Sequence, residues 1–221
     1  MLWSVGLILL ASNVLAAVRA GDVVELKGVA EGQAPGEGAR RLREGDPLYD
    51  GDSIKTMDNS NIHIKLLDNS RFRLGPNAQM VVANFKYQTD SEPNVLATTI
   101  LKGTFRFISG LIAKASPRSM SVKLPTATIG IRGTHVIGEV TGTSASVALL
   151  EPEESGTKTA IEVSNQYGSV VIDEPGFGTD IADEFSPPSP PHRVQVNRIN
   201  NMLNSIQIMR RLSVPRPIRR P

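Results

Sequence analysis

Four arginine side chains are the groups in this sequence that are best suited to bind a ligand. Arg71, Arg73 and Arg106 alternate with apolar residues on predicted strands, and Arg132 lies close to two glycines. A planar guanidinium binds a carboxylate or a phosphate through two parallel hydrogen bonds. Two interpretations are open. The arginines line an exposed groove for an acidic ligand or partner, or each forms a half-buried ion pair with an aspartate of the Gly-Asp turns.

The other reactive residue types predict neither catalysis nor a metal site. The chain has no cysteine, which excludes disulfides and thiolate chemistry. The three histidines, His63, His135 and His192, are not spaced as metal ligands usually are, and the alternation around His63 predicts that it faces solvent. No motif brings a serine and a histidine together, and among 22 acidic residues a chance carboxylate pair carries no information. We therefore predict a non-enzymatic protein without metal or cofactor.

The hairpin that carries two of the arginines is the clearest secondary-structure signal. In "NIHIKLLDNSRFRLG", apolar residues alternate with basic ones on both sides of a turn that begins at Asp68. A period of two with one apolar face is typical of a half-buried β-hairpin. Short segments of this kind, separated by Gly, Asn and Asp turns, continue to about residue 181, and we expect about ten to twelve strands.

Two Gly-Asp pairs, Gly45-Asp46 and Gly51-Asp52, predict successive corners between short strands. Glycine permits a positive φ, and an aspartate side chain accepts hydrogen bonds from nearby backbone amides. The oxygens of Asp46, Asp50 and Asp52 could bind Ca²⁺, but their spacing does not match an EF-hand loop. Turn formation explains these aspartates without a metal.

The segment "PTATIGIRGTH", residues 125–135, is rich in glycine and β-branched residues. It is not a phosphate-binding loop, because no GxxxxGK[ST] pattern is present and no long helix follows. It is not a nucleophile elbow either, because Ile131 and Arg132 stand where the serine is needed. The segment predicts a strand that bends or bulges at Gly130 or Gly133, just before Thr134.

The last thirty residues differ from the rest of the chain in charge. Residues 192–221 contain seven arginines and no acid, which leaves 17 basic against 22 acidic residues in the remainder, a net charge of −5. A proline-rich segment at 184–192 predicts a stiff spacer. Beyond it, an amphipathic helix is predicted from the spacing of five apolar residues, Ile199, Met202, Leu203, Ile206 and Met209. We expect the helix to dock on the acidic body; contact with an anionic membrane surface is the alternative.

The N-terminal residues predict a secretory signal. A short apolar run at residues 5–10 is followed by small residues, and Val14-Leu15-Ala16 fits a cleavage site. A second candidate site ends at Ala20. The run is shorter than the ~20 residues that a membrane-spanning helix needs. An uncleaved anchor is the alternative, since no Lys or Arg precedes the run.

Several motifs together resemble the FecR-type domain, named for the periplasmic part of the ferric-citrate regulator. "PTATIGIRGT" is similar to the family signature, and "GDPLYDGDSIKT", "LLDNSRFRLGPNAQM" and "LKGTFRFISG" precede it in the family's order. The resemblance covers residues 21–140. It implies an all-β domain outside the inner membrane. In the regulator, such a domain lies below a membrane helix and a cytoplasmic anti-sigma segment, neither of which this sequence shows.

The predicted architecture is an all-β, short-strand sandwich or solenoid-like FecR-type domain with a C-terminal amphipathic helix. Its parts are a signal peptide (1–16), a FecR-like domain (21–183), a proline-rich spacer (184–192), the helix (193–212) and a frayed basic tail (213–221). We predict an exported module, in the periplasm or at the cell surface, that binds an envelope protein or polysaccharide and no nucleic acid. A membrane-anchored component of transmembrane signalling is the alternative, and an envelope-glycan hydrolase is the least favoured class.

Overall fold

Two β-sheets that share one strand form the body of the protein. The computed structural model describes residues 17–88, 93–153 and 159–207. The predicted signal peptide and the basic tail lie outside the described residues. The shared strand is β9 (Val95–Ile108), which is much longer than any other. The body is all-β and is followed by a C-terminal helix, which confirms the predicted fold class.

Within the described residues, sheet A and sheet B contain eight further strands each. Those of sheet A are β1 (Arg19–Lys27), β4 (Pro47–Tyr49), β6 (Asn61–Leu66), β7 (Arg71–Leu74), β12 (His135–Thr141), β13 (Ser144–Leu149), β16 (Phe177–Ile181) and β17 (His192–Arg193). Those of sheet B are β2 (Ala30–Gln33), β3 (Arg40–Arg41), β5 (Ser53–Thr56), β8 (Gln79–Lys86), β10 (Met120–Lys123), β11 (Thr128–Arg132), β14 (Ala160–Asn165) and β15 (Gly168–Ile172). The expectation of ten to twelve strands was too low, because strands of two to four residues carry too few positions for a visible alternation.

The order of strands follows from the hydrogen-bonded pairs. Sheet A runs β4, β1, β6, β7, β9, β12, β13, β16, β17, and sheet B runs β3, β2, β5, β8, β9, β10, β11, β14, β15. All pairs are antiparallel except β9 with β10. The chain connects this parallel pair through α1 (Leu111–Ala115) and a 3₁₀ turn, Pro117–Ser119.

Strand β9 changes sheet near Gly103. Its first half pairs with β8 and β10, and its second half pairs with β7 and β12. Gly103 has φ +90°, and a Cβ at this position would lie 2.6 Å from Ala78. Only glycine combines this left-handed backbone with so close an approach. The bend therefore has a fixed position in the sequence.

One apolar core fills the space between the sheets. Alternate residues of the β6–β7 hairpin, Ile62, Ile64, Phe72 and Leu74, are fully buried in it. The predicted hairpin with one apolar and one basic face is confirmed. Burial of each such side chain stabilises the fold by about 1.5–3 kcal/mol relative to exposure. The core therefore fixes which residues of each strand point outward.

The C-terminal helix α2 (Val196–Ser205) packs on the outer side of sheet A. Met202 and Ile206 are buried there against Ile137 and Ala148 of β12 and β13, together with Val194. Arg198 forms an ion pair with Asp180 at 3.0 Å. The helix is therefore docked on the body, as expected. The predicted helical residue Met209 lies outside the described residues.

The proline-rich segment is attached to the body along its length. The backbone amide of Ser189 donates to the carbonyl of Asp180 at 2.9 Å, and the Ser189 hydroxyl accepts from the amide of Asp180 at 3.0 Å. The Asn165 side chain donates to the carbonyl of Ser186. The segment is therefore a strap that lies on the body and leads directly into the docked helix.

Candidate anion-binding site

Six basic side chains lie together on the outer side of sheet A. Adjacent strands align His63 with Arg73 and Arg73 with Arg106 in one row, and Lys65 with Arg71 in the next row. His135 of β12 lies opposite Ile108 at the end of that second row. Side chains directly opposite one another in a sheet have Cβ atoms about 4.5–5.5 Å apart. We call this group the cationic face: His63, Lys65, Arg71, Arg73, Arg106 and His135.

Inward-pointing neighbours hold the cationic face in register. Phe72 lies between Arg71 and Arg73, and Phe107 follows Arg106; both rings are fully buried, with centroids 5.8 Å apart. A slip of one residue would expose these rings and bury the arginines, which is strongly unfavourable. The position of the basic groups is therefore set by the core behind them.

Among the residues that the structure describes, Glu153 is the carboxylate that lies over the cationic face. Glu153, just beyond β13, forms an ion pair with Arg71, and its other oxygen lies 3.8 Å from Arg106. Glu25 lies near the edge of the face, with an oxygen 3.9 Å from Nδ1 of His63. Arg73 has no ion pair or hydrogen bond with any residue that the structure describes. Within the described residues, three guanidinium groups on this face therefore meet one carboxylate over it and a second near its edge.

His135 orients the central arginine. Nε of Arg106 donates to Nε2 of His135 at 2.5 Å, and Nδ1 of His135 lies 2.8 Å from the carbonyl oxygen of Glu151. An acceptor at Nε2 requires that the proton be on Nδ1, so the ring is neutral. Burial, and then the charge of Arg106, lower the pKa of His135, in agreement with that state.

The other groups of the face also have shifted pKa values. Burial lowers the pKa of Arg106, and the neighbouring Arg73 lowers it further. Burial and then the charge of Arg73 lower the pKa of His63 to about 4, against a smaller opposing effect of Glu25. At both Arg106 and His63, the folded protein disfavours the charged form of the side chain, in part because neighbouring arginines already carry positive charge. An anion placed here would relieve that cost.

A cavity of about 400 Å³ adjoins the cationic face. It shares Arg71, Ile108 and Glu153 with a smaller hollow of about 40 Å³ that reaches Arg73 and Arg106. Its wall includes Gly133 and Thr134, which connect β11 of sheet B to β12 of sheet A. Gly133 has φ +66°, which confirms that the chain bends at this glycine.

The turn that begins at Asp68 builds the opposite wall. The Asp68 carboxylate accepts from the amide and the hydroxyl of Ser70, at 3.0 and 2.8 Å. The hydroxyl oxygen of Ser70 in turn accepts from the amide of Gly110 at 2.9 Å. These buried bonds join the β6–β7 turn to the start of α1. Asp68 therefore has a structural role: its bonds hold the turn in place, and the turn puts Asn69 at the rim of the cavity.

Three of the four arginines singled out from the sequence meet on the cationic face. The fourth, Arg132, lies on sheet B, beside Gly130 and Glu162 in a separate groove. The alternative pairing with a Gly-Asp aspartate is wrong for Arg71 and Arg106, which approach Glu153. The aspartates have other partners: Asp52 binds Arg40 at 2.5 Å, and Asp46 and Asp50 accept from backbone amides.

Some members of the site were missed or misjudged. His63 lies on the outward side of its strand as expected, but its side chain is only 13% exposed, because neighbouring side chains cover it. Lys65 could have been found, since it follows the same alternation as His63. His135 and Glu153 could not, because the bend at Gly133 and the connection that follows β13 decide their positions. Among the described residues, no cluster of three potential metal ligands occurs, and no helix is long and apolar enough to cross a membrane.

Comparison with known proteins identifies the domain. Residues 52–153 match the family model described as FecR protein. The chain therefore contains a FecR domain, and the resemblance drawn from the sequence is confirmed. The match begins at Asp52, so the first Gly-Asp pair and strands β1 to β4 lie outside it.

Two crystal structures of a candidate anti-sigma factor from Parabacteroides distasonis ATCC 8503, at 2.50 and 1.65 Å resolution, have a similar fold. They are 10% identical to this chain, with TM-scores of 0.52 and 0.50. The likeness covers 68% of this chain and 63% and 64% of theirs, so the chain spans less than two thirds of their length. A comparison with curated proteins gave no match.

Proposed function

We propose that this protein is an exported, non-enzymatic binding module that recognises an anionic group of an envelope protein or polysaccharide through the cationic face. The observation that supports this function is the pair Arg73 and Arg106, which lie directly opposite each other on β7 and β9. Like charges in such a pair destabilise a sheet. Side chains that oppose folding in this way are expected at functional sites.

The environment of Arg73 supports the same function. Arg73 is half-buried and has neither an ion pair nor a hydrogen bond within the described chain, while Arg106 beside it is oriented by His135. A preorganised guanidinium next to a free one can bind two oxygens of a carboxylate or phosphate. The site then gains charge neutralisation on binding.

The proposed location rests on the family and on the N-terminal sequence. FecR domains are typically periplasmic, and residues 1–16 have the features of a secretory signal. In the envelope, the cationic face would meet anionic groups on many components. Contact of the C-terminal helix with a membrane surface stays a prediction; in the structure its apolar side faces sheet A.

Titration with inorganic pyrophosphate tests the anion site. We expect saturable binding by calorimetry, and a loss of at least tenfold in affinity in Arg73→Gln. Arg132→Gln is the matched control, because Arg132 lies on the other sheet, and it should bind as the wild type does. Equal affinity in wild type and Arg73→Gln would contradict the proposal. Since Arg73 has no ion pair within the described chain and lies opposite Arg106, its replacement relieves a repulsion between like charges and should not lower the melting temperature.

A second candidate function is a component of transmembrane signalling, anchored by an uncleaved N-terminus. The fold shared with the candidate anti-sigma factor favours it. The mass of the mature N-terminus separates the two functions: residue 17 is expected first for an exported module, and Met1 in a membrane fraction for an anchored one. Cleavage after Ala20 would remove the start of β1, where Ala20 is buried and its carbonyl accepts from the amide of Leu67, and would therefore cost the mature protein stability.

A further inference from the structure

We infer that the cationic face and the adjoining cavity form one site for an acidic saccharide. In this arrangement the arginines bind a sugar carboxylate and the cavity holds the ring that carries it. The inference rests on the proposed function and specifies its ligand. It is carried by the adjacency of the two hollows, by the chemistry of the cavity wall and by the position of Glu153.

The two hollows adjoin each other. Arg71, Ile108 and Glu153 line both, so a ligand group bound to the arginines has the larger cavity directly beside it. The cavity volume of about 400 Å³ lies within the range typical of small-ligand sites, about 300–1,000 Å³. A single inorganic anion would fill only the smaller hollow, which leaves the larger one for an uncharged body attached to the anion.

The wall of the cavity suits a hydroxylated ring. Asn69, Ser109, Thr134 and Thr159 provide amide and hydroxyl groups, and Ile108, Leu111 and Pro152 provide apolar surface. Thr134 is only 4% exposed, and its hydroxyl has no hydrogen-bond partner among the described residues. Leaving such a group unpaired is unfavourable, and a ligand hydroxyl can satisfy it.

Glu153 shows where a carboxylate binds. It directs one oxygen to Arg71 and the other to Arg106, and its side chain is 42% exposed. An exposed ion pair of this kind contributes little to stability. A ligand carboxylate can therefore replace Glu153 at little cost. Arg73, next to Arg106 in the same row, is then available for the second oxygen or for a neighbouring acidic sugar.

The position of the site favours a saccharide over an acidic peptide. A peptide commonly gains affinity by pairing its backbone with the free edge of a sheet. Here β7 is paired with β6 and β9, and β12 is paired with β9 and β13, so the strands beneath the site have no free edge. Recognition must come from side chains, and those available are suited to a carboxylate and to hydroxyl groups.

Three probes distinguish the possible ligands by calorimetry: trigalacturonate, triglutamate with an equal number of side-chain carboxylates, and maltotriose with an equal number of rings. We expect trigalacturonate to bind at least tenfold more tightly than either of the others. Equal binding of triglutamate would overturn the saccharide inference and leave the proposed anion site intact. Equal binding of maltotriose would overturn both, because the arginines would then contribute nothing.

Two variants test the cavity independently of the arginines. Thr134→Val removes the unpaired hydroxyl with little change in shape, and Asn69→Gly removes the amide while tolerating the φ of +66° at this position. Each should weaken trigalacturonate binding at least threefold and leave pyrophosphate binding unchanged. Thr126→Val is the control, since it also removes a buried unpaired hydroxyl, but one outside the cavity. Unchanged trigalacturonate affinity in both cavity variants would contradict the inference.

Discussion

The side chains of Arg106 and His135 form a hydrogen bond of 2.5 Å that joins β9 to β12 across the cationic face. The bond requires a neutral imidazole, because the guanidinium can only donate. It holds the central arginine in place and at the same time makes this part of the molecule sensitive to acid. His63, which lies on β6 two strands from β9, also makes the molecule sensitive to acid. Its buried Nδ1 makes no hydrogen bond within the described chain.

Acid should destabilise the protein through His63. Its pKa is about 4 when folded and about 6.5 when unfolded, so protons bind preferentially to the unfolded chain between these values. Stability is therefore unaffected by this group above pH 6.5 and is lost as pH falls from 6.5 to 4, by about 2–3 kcal/mol. Denaturant unfolding at pH 7 and pH 4.5 measures the loss.

The variant His63→Gln should reduce that loss, because glutamine does not titrate. The slope that remains in the variant includes His135, whose pKa is also lowered. A wild type and a variant with the same loss between the two pH values would show that His63 does not carry the effect. Subtracting the loss in the variant from the loss in the wild type removes the contributions of carboxylates that the two proteins have in common.

Replacing Gly133 should strain the corner between the two sheets. Its φ of +66° is unfavourable for any residue with a Cβ and most so for a β-branched one, while no atom lies within 4 Å of a Cβ there. We expect Gly133→Val to lower the free energy of unfolding by about 1–3 kcal/mol. Gly133→Asn, which tolerates this conformation, should cost clearly less. Equal losses in the two variants would point to side-chain contacts and not to backbone strain.

The docked helix should stabilise the body. Met202 is 4% exposed in contact with sheet A, so Met202→Ala is expected to cost about 2–3 kcal/mol in chemical denaturation. Val196→Ala is the control on the same helix, since Val196 is 70% exposed and should cost little. Deletion of residues 194–221 should lower the melting temperature and increase binding of a hydrophobic dye. An unchanged melt after deletion would mean that docking adds nothing to stability.

The stability of the protein should depend on the ion pair between the buried Asp52 and Arg40. Asp52 is fully buried, and Arg40 donates to both of its oxygens, at 2.5 and 3.1 Å. Arg40→Gln is expected to cost about 1–3 kcal/mol, because a buried carboxylate loses its countercharge. Arg41→Gln alters an exposed neighbour on the same strand and serves as the control. Similar melting temperatures for the two variants would contradict a structural role for this ion pair.

The sequence was sufficient to predict the hairpin, the all-β fold and the docked helix, because each has a repeating pattern of apolar residues. It also identified Arg71, Arg73 and Arg106. Each of them alternates with core residues, so each had to point outward from its sheet. The separation of Arg132 from them could not be predicted, because it depends on Gly133 turning the chain from one sheet to the other. Glu153 was missed for a similar reason: a residue in a connection carries no periodic signal.

Strand β9 connects the folding of the two sheets. Since its halves belong to different sheets, a shift of register in one half moves the other half by the same amount. Gly103 prevents such a shift, because a slip by one residue would place Lys102 or Thr104 in the left-handed backbone against Ala78. The two sheets are thus expected to form in one kinetic step, with the transition state for folding including the middle of β9.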